Sequence, residues 1–322
     1  MATDSEHVLL ISDNVWGRHR DEITAIAPNM EVIVYEGEDP VDDHIMSRVT
    51  IAFFSQDVWP ERSRGFVLST MKASSLQWYH TFSAGVDSPF FIDLMNRGVR
   101  LTNSSGATAS PIAQTAILYM LALSRNARAW FEHQDKHEWQ RHNLVELDGA
   151  NLAVIGMGPI GEEIARLGVA LNMNVEGIRR TPTGAEPCTT YSFESLTDVL
   201  GRADWVAVAL PLADETRNLF DASTFGAMKP GAFFVNVGRG ELVNEPDLIH
   251  ALQSQHLAGA ALDVFATEPL PEDSPLWDMK NVIITPHSSG ASPKAGLRSE
   301  DMFVENLAKF LAETPLRNEI RR

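Results

Sequence analysis

A glycine-rich segment in the middle of the chain has the residue types and spacing of a phosphate-binding turn. Gly156, Gly158 and Gly161 follow the apolar run of residues 152–155 and lead into a helical pattern. In such a turn the first glycine permits the tight bend, the second lets the backbone approach a pyrophosphate, and the third lets helix and strand pack closely. The first amides of the helix then face the anion. The segment predicts a dinucleotide-binding site, although a structural turn with chance glycines would give the same letters.

Two consecutive arginines end the next predicted strand. Arg179 and Arg180 stand where a fold that binds NAD commonly carries Asp or Glu for the ribose hydroxyls. A carboxylate would repel a 2′-phosphate, whereas a guanidinium attracts it through two parallel hydrogen bonds. We therefore expect NADP(H) to be favoured over NAD(H). The alternative is a pair of solvated arginines beside an NAD site.

Three further segments place side chains that could take part in catalysis shortly after predicted strands. Arg239, Glu268 and His287 lie in these segments. Parallel α/β sheets bind their ligands at the carboxyl edge, which is where these residues would meet. Taken singly, a histidine after a strand is more often structural, and an arginine or glutamate is more often on the surface. Their significance therefore depends on their combination.

The elements that must hold these residues alternate between short apolar runs and amphipathic stretches. Strands are predicted before residue 103 and again after residue 150, at 7–11, 31–34, 50–54, 76–82, 99–102, 151–155, 174–178, 204–210, 232–236, 259–263 and 281–285. Helices are predicted between them, with a long one from about Ala107 to Glu132 and a last one over residues 293–311. This alternation predicts parallel sheets with right-handed crossovers. The six later strands match a doubly wound, dinucleotide-type sheet.

With the glycine turn, four segments resemble those of the D-isomer-specific 2-hydroxyacid dehydrogenase family. They are residues 84–87, 233–240, 261–270 and 286–287. The resemblance covers essentially the whole chain and is strongest from Gly149 to Gly290. It implies an α/β fold of two doubly wound parallel-sheet domains, with a Rossmann cofactor domain inserted into a discontinuous flavodoxin-like substrate domain. By that analogy residues 1–103 and 292–322 would form the substrate domain, and residues 104–291 the dinucleotide-binding domain.

The resemblance also implies a role for each member of the catalytic set. His287 would protonate the carbonyl oxygen as a hydride arrives, and Glu268 would orient its ring and favour the protonated form. Arg239 would hold the carboxylate and carbonyl oxygen of a 2-oxo acid, while backbone amides around Ala84 and Gly85 would bind the other side of that carboxylate. The implied activity is hydride transfer between a nicotinamide cofactor, NADPH favoured, and a small 2-oxo or D-2-hydroxy acid such as glyoxylate or hydroxypyruvate.

The same resemblance implies a set of cofactor contacts and no metal. Pro159 and Ile160 would lie under the pyrophosphate, and Asp263 would bind the nicotinamide carboxamide. Together with the turn glycines and the two arginines, which depart from the family's NAD-type acid, the full set of predicted cofactor-binding residues is Thr108, Gly156, Gly158, Pro159, Ile160, Gly161, Arg179, Arg180, Leu210, Pro211, Thr216, Val237, Gly238, Asp263 and His287.

Relatives in this family usually form dimers through the cofactor domain, so the resemblance implies a homodimer. Trp139 lies where some reductases carry a tryptophan that reaches the partner subunit's site. We favour the alternative that it packs in an interface or in the core. Because the sequence ends at Arg322, about thirty residues after His287, we expect no added regulatory domain.

Composition excludes several other classes. The 322 residues are 44% hydrophobic and 21% charged, an ordinary globular balance. The formal net charge of −17 argues against a nucleic-acid or membrane-surface partner. Cys188 stands alone, so an intrachain disulfide and a multi-cysteine metal site are excluded. The absence of a recognisable signal segment and the lone cysteine predict a cytoplasmic protein.

Two other functions remain open on the sequence alone. One is a D-2-hydroxyacid dehydrogenase for larger 2-oxo acids that uses both cofactors. The other is a non-catalytic, NAD(H)-sensing binding protein similar to a transcriptional corepressor, since such binders can retain Arg239, Glu268 and His287. A substrate-dependent decrease in NADPH absorbance would separate an enzyme from such a binder.

Overall fold

A computed structural model of the chain describes residues 6–142 and 144–320, which form two compact units. One unit contains the residues up to Thr108 together with those from Ser292 onward, and the other is Ala109–Ala291. Each unit is built on one parallel β-sheet, so the expected α/β fold class is confirmed. The outer ends of the predicted substrate domain, residues 1–5 and 321–322, lie outside the described residues.

The first unit has a five-stranded sheet with the order β2-β1-β3-β4-β5. The strand order reverses between β1 and β3, as in flavodoxin-like folds. Its strands are β1 (Val8–Ser12), β2 (Glu31–Tyr35), β3 (Ile51–Phe54), β4 (Trp78–Thr81) and β5 (Arg100–Asn103). Its connecting helices are α1 (Asp13–Ile26), α2 (Asp43–Met46), α3 (Ser63–Lys72) and α4 (Pro89–Asn96).

The second unit has a seven-stranded parallel sheet with the order β12-β11-β10-β9-β6-β7-β8. Its strands are β6 (Asn151–Ile155), β7 (Asn174–Ile178), β8 (Thr189–Tyr191), β9 (Trp205–Val208), β10 (Ala232–Asn236), β11 (Leu257–Leu262) and β12 (Val282–Ile284). Its helices are α5 (Ala109–Ser124), α6 (Ala127–Asp135), α7 (Pro159–Ala170), α8 (Leu196–Arg202), α9 (Ala222–Ala227) and α10 (Glu245–Gln253). The order reverses between β6 and β9, which is the position where doubly wound sheets bind ligands.

Two sequence predictions for the second unit are wrong. The long helix predicted from Ala107 to Glu132 is two helices, α5 and α6, because Asn126 adopts the left-handed backbone conformation (φ 49°) between them. The sheet has seven strands rather than six. The additional strand, β8, pairs within the described residues with β7 alone and has three residues, too few to show an apolar pattern in the sequence.

The last helix, α11 (Pro293–Leu311), belongs to the core of the first unit. Phe303 stacks on Phe53 and on Trp78, with ring centroids 4.5 and 5.3 Å apart. The amphipathic pattern of residues 293–311 had predicted both ends of this helix. Over residues 6–142 and 144–320, no helix combines the length and the apolar composition that crossing a membrane requires.

Candidate active site

The loops that follow β6, β9 and β10 meet at the carboxyl edge of the seven-stranded sheet. A β-carbon added to Gly156, whose φ is +103°, would lie 2.8 Å from the backbone of Ala209. One added to Gly238 would lie 2.8 Å from the carbonyl oxygen of Leu210. Real β-carbons do not approach this closely, so both glycines are needed to bring the three loops together.

The predicted phosphate-binding turn forms the start of α7. A β-carbon on Gly161 would lie 1.8 Å from the carbonyl oxygen of Gly156, so glycine alone lets the helix pack on the turn. A β-carbon added to Gly158, which caps α7, would have no neighbouring atom within 4 Å. Among the described residues, no side chain caps this helix. The turn therefore combines a helix N-terminus with open space at Gly158, which fits the pyrophosphate of a dinucleotide.

Arg239 lies in a loop that Asn236 holds at the end of β10. The Asn236 side chain is buried; its Nδ2 donates to the carbonyl oxygen of Arg239 (2.9 Å), and its Oδ1 accepts from the amide of Gly238 (3.0 Å). Arg239 is half-buried, and its Nη1 donates to the carbonyl oxygen of Gly238 at 2.9 Å. The guanidinium is thus attached to a loop with little freedom.

Glu268 and His287 are paired by the loops after β11 and β12. His287 Nδ1 lies 2.8 Å from Glu268 Oε2, and the other carboxylate oxygen accepts the amide of Phe265 at 3.0 Å. A β-carbon on Gly240 would lie 1.8 Å from the carbonyl carbon of Phe265, so the Arg239 loop packs directly on the Glu268 loop. The second unit therefore joins the Arg239 loop to a paired Glu268 and His287, as the sequence predicted.

The histidine loop is built around the buried carboxylate of Asp263. One oxygen of Asp263 accepts from the Thr285 hydroxyl (2.5 Å) and the Ser288 amide (2.9 Å), and the other accepts from the amide (3.1 Å) and the hydroxyl of Ser289. The amide of His287 donates to the Asp263 carbonyl oxygen at 2.8 Å. Asp263 therefore fixes the backbone on both sides of His287, whose φ is +51°.

Tyr119 of α5 extends this network. Because the Thr285 hydroxyl donates to the Asp263 carboxylate, the Tyr119 phenol must donate its hydrogen to Thr285. Burial raises the pKa of Tyr119 to about 12, so the phenol keeps this hydrogen at working pH. The first helix of the unit is thus tied to the loop that carries His287.

The two arginines after β7 both face carboxylates. Arg179 Nη1 lies 2.7 Å from Glu186 Oε1 and 3.6 Å from Glu162 Oε1. Arg180 is largely exposed and pairs with Glu215. Sequence reasoning did not identify these acidic partners, since none of them is adjacent in the chain.

The other predicted contacts divide between the two units. Thr216 is buried, and its hydroxyl bonds within the loop of residues 211–213, so the described contacts give it a loop-shaping role. Val237 is buried at the end of β10.

Thr108 ends the first segment of the other unit, which also carries Ala84 and Gly85. The carbonyl oxygens of Ala84 and Gly85 accept from Asn103 Nδ2 (2.5 Å) and Ser83 Oγ (2.9 Å).

Comparison with known proteins identifies the family. Residues 117–289 match the family model described as D-isomer specific 2-hydroxyacid dehydrogenase, NAD binding domain. The chain belongs to the D-isomer-specific 2-hydroxyacid dehydrogenases. The resemblance inferred from the motifs is therefore confirmed, and this dehydrogenase family carries an NAD-binding domain at the position of the glycine turn.

Individual relatives agree with this membership. The glyoxylate/hydroxypyruvate reductase B of Enterobacter sp. (strain 638) is 35% identical over 248 residues, which cover 74% of this chain and 76% of that protein. A D-isomer specific 2-hydroxyacid dehydrogenase family protein of Aeromonas salmonicida is 33% identical over 98% of this chain and 99% of that one, with a TM-score of 0.81. An NADPH-dependent glyoxylate/hydroxypyruvate reductase of Sinorhizobium meliloti, solved with NADP and sulfate, is 27% identical over 98% of both chains, with a TM-score of 0.75.

This 2-hydroxyacid dehydrogenase is an oxidoreductase that uses a nicotinamide cofactor and acts on 2-hydroxy acids. The prediction of an enzyme is confirmed. The open space at Gly158 leaves room for the pyrophosphate of such a cofactor. Among the described residues, no group of three or more His, Cys, Asp and Glu could hold a metal ion.

Several residues that shape this dehydrogenase site escaped sequence reasoning. Asn236 lies within the segment 233–240 that resembles the family, three residues before Arg239, so its position in the sequence was a usable signal. Tyr119 and Glu186 lie far along the chain from the residues they contact, and no spacing pattern marks them. Trp139 is 95% exposed, so it does not pack in the core of its own chain.

Proposed function

We propose that this dehydrogenase is an NADP(H)-preferring reductase of small 2-oxo acids, with glyoxylate and hydroxypyruvate as first substrates. The observation that carries the cofactor preference is the Arg179–Arg180 pair at the end of β7, where a carboxylate would favour NAD(H). The substrate class is supported by the catalytic set and by relatives whose names specify glyoxylate and hydroxypyruvate.

Arg239 binds the substrate in this proposal. Its planar guanidinium matches the carboxylate and the carbonyl oxygen of a 2-oxo acid, and it polarises the carbonyl by hydrogen bonding. The Asn236 clamp stabilises the backbone from which it extends. Backbone amides at Ala84 and Gly85 bind the other side of the carboxylate.

His287 supplies the proton. Its Nδ1 is paired with Glu268, so Nε2 is the atom that donates to the carbonyl oxygen during reduction and accepts the hydroxyl proton during oxidation. The nicotinamide ring, when bound, supplies or accepts the hydride. Glu268 keeps the imidazole oriented, and the Asp263 network holds its backbone in place.

The second unit, Ala109–Ala291, would be the cofactor domain, and the first unit the substrate domain. In the second unit, Pro159, Ile160 and the glycines at 156, 158 and 161 would bind the pyrophosphate, and Arg180 the 2′-phosphate. The remaining contacts would be Thr108, Arg179, Leu210, Pro211, Thr216, Val237, Gly238 and Asp263. Asp263 has a structural role in addition, because its carboxylate already accepts several hydrogen bonds from the histidine loop.

A panel of 2-oxo acids assayed with NADPH and with NADH tests this function. We expect kcat/KM to be highest for glyoxylate or hydroxypyruvate with NADPH. The reaction is followed by the decrease in absorbance of the reduced nicotinamide. A strong preference for NADH would overturn the cofactor assignment. A clear preference for larger 2-oxo acids would overturn the substrate assignment.

We also propose a homodimer formed through the second unit. Large apolar side chains are exposed on α5, on α6 and on the segment that follows, namely Leu118, Leu121, Trp130, Phe131 and Trp139. A surface of this kind is commonly covered by another chain. Light scattering at micromolar concentration should give the mass of a dimer, and Phe131→Asp should shift it towards a monomer. Leu68→Asp, on the exposed face of α3, is the matched control; a monomeric wild-type protein would contradict the proposal.

A further inference from the structure

The acidic side chains around the two arginines have a consequence for cofactor choice. Glu186 lies in the loop between β7 and β8, and its side chain is only 2% exposed. Its carboxylate accepts from the amide and the hydroxyl of Thr183 and from the amide of Gly184, all at 2.8 Å. Arg179 supplies a further hydrogen bond at 2.7 Å. The loop thus forms an anion cradle that the chain's own carboxylate occupies.

The donors in this cradle are of the kind that bind phosphate. Consecutive backbone amides and a guanidinium recur in phosphate sites. The turn depends on Gly184, which has a φ of +78°. Hydrogen bonds, led by the one from the Thr183 amide, lower the pKa of Glu186 to about 2. The carboxylate therefore remains charged at every working pH.

The local charge balance is less favourable to a 2′-phosphate than the arginine pair alone suggests. Arg179 and Arg180 contribute two positive charges, while Glu162, Glu186 and Glu215 contribute three negative ones. Arg180 can leave Glu215 at little cost, since both side chains are well exposed. Arg179 is held more firmly, because its partner Glu186 is itself fixed by the loop.

We propose that Glu186 is a specificity-determining residue, whose carboxylate occupies Arg179 and so limits the preference for a cofactor that carries a 2′-phosphate. This inference rests on the proposed use of NADP(H). Arg180 is then the arginine that meets the phosphate, and Arg179 contributes only as far as Glu186 releases it. The enzyme is expected to retain measurable activity with NADH for this reason.

Glu186→Gln tests the proposal, because the amide oxygen can still accept from Thr183 while the negative charge is lost. Two readouts are needed: the ratio of kcat/KM for NADPH to that for NADH, and the affinity for adenosine 2′,5′-bisphosphate relative to adenosine 5′-monophosphate, measured by calorimetry without turnover. We expect both ratios to rise about tenfold, since Arg179 no longer has a charged partner and can form a charge-assisted hydrogen bond with the 2′-phosphate. In an Arg179→Gln background the same substitution should change neither ratio.

Two control variants make the result specific. Glu146→Gln removes an exposed carboxylate five residues before the first residue of β6 and should leave both ratios unchanged. Thr183→Val removes the hydroxyl's hydrogen bonds with Glu186 and with the Ala185 amide, without altering charge. The backbone amides of residues 183 and 184 still hold the Glu186 carboxylate, so the ratios should stay unchanged. The proposal is overturned if Glu186→Gln leaves the ratios as in the wild type, if Thr183→Val moves them equally, or if the effect persists without Arg179. A wild-type preference for NADH would count against the proposed function instead, because the inference concerns the change in the ratio.

Discussion

His287 Nδ1 lies 2.8 Å from Oε2 of Glu268, and the second oxygen of that carboxylate is bonded to the amide of Phe265. The carboxylate is therefore fixed at both oxygens, one by its own loop and one by the imidazole. A ring held in this way presents its other nitrogen in a constant direction. This geometry makes His287 the group whose replacement should damage the reaction most.

His287→Ala is expected to lower kcat by a factor of about 10²–10⁴, the usual contribution of a general acid. Cofactor binding, measured by fluorescence titration, should remain nearly intact. His250→Ala, which removes an exposed histidine from α10, is the control and should behave as the wild type. Activity within tenfold of the wild type would refute the general-acid assignment.

Two glycines of the phosphate turn should respond in opposite ways to the same substitution. Gly161→Ala places a methyl group 1.8 Å from a backbone oxygen and should lower the free energy of unfolding by about 3 kcal/mol or more. Gly158→Ala meets no protein atom within 4 Å, so stability should change by less than about 0.5 kcal/mol while cofactor affinity falls at least about tenfold. Urea unfolding and cofactor titration measure the two quantities. Wild-type affinity in Gly158→Ala would mean that the pyrophosphate does not lie there.

Tyr119→Phe should reduce kcat about fivefold, as expected for the loss of one hydrogen bond of ~1 kcal/mol that positions the catalytic loop. KM for the cofactor should not change, because the phenol is bonded to Thr285, which is not among the proposed cofactor contacts. Since burial raises the pKa of Tyr119 to about 12, the defect should be constant from pH 6 to 9. Tyr191→Phe removes a hydroxyl bonded to Glu176 in the neighbourhood of β7 and should leave kcat unchanged. An equal loss in both variants would argue against a positioning role.

His80 should make the first unit sensitive to acid. Burial lowers the pKa of this histidine to about 3, and its ring nitrogens bond to Thr102 (2.7 Å) and Ser104 (3.1 Å). Below pH 6.5 the imidazole of His80 is protonated in the unfolded chain, whereas in the folded chain it stays neutral down to about pH 3. The contribution of His80 to the free energy of unfolding is therefore fully present above pH 6.5. It falls on acidification, by roughly 1 kcal/mol for each pH unit.

Hydrogen exchange of the β4 and β5 amides between pH 7 and pH 5 measures this effect. His80→Gln should flatten the pH dependence, even if it lowers stability overall. His44→Gln, at an exposed position in α2, should retain the wild-type slope. An unaltered slope in His80→Gln would show that other groups govern acid sensitivity.

The parts of the site that the sequence predicted share one property: each is encoded within a short segment. The glycine turn, the strands that precede Arg239 and His287, and helix α11 all have local patterns of apolar residues or glycines. Strand ends in a parallel sheet then bring distant segments to one edge, which is why Arg239, Glu268 and His287 could be grouped before any coordinates.

What could not be predicted depends on contacts between segments. The bonds from Tyr119 to Thr285 and from Arg179 to Glu186 join positions whose spacing carries no signal. The break between α5 and α6 depends on a single residue, Asn126, in a region whose apolar pattern continues on both sides. Short β8 was missed because three residues at a sheet edge need little hydrophobic character.

Helix α11 also bears on how the chain folds. Its aromatic residues Phe303 and Phe310 complete a core built on Phe53 and Trp78, while every residue of the second unit lies between these two groups in sequence. On the ribosome, where N-terminal segments emerge first, the sheet of the first unit must wait for the whole second unit to be synthesised before its core can close. The second unit is continuous and has no such delay. The part of the chain that is made first should therefore be the last to reach its native packing.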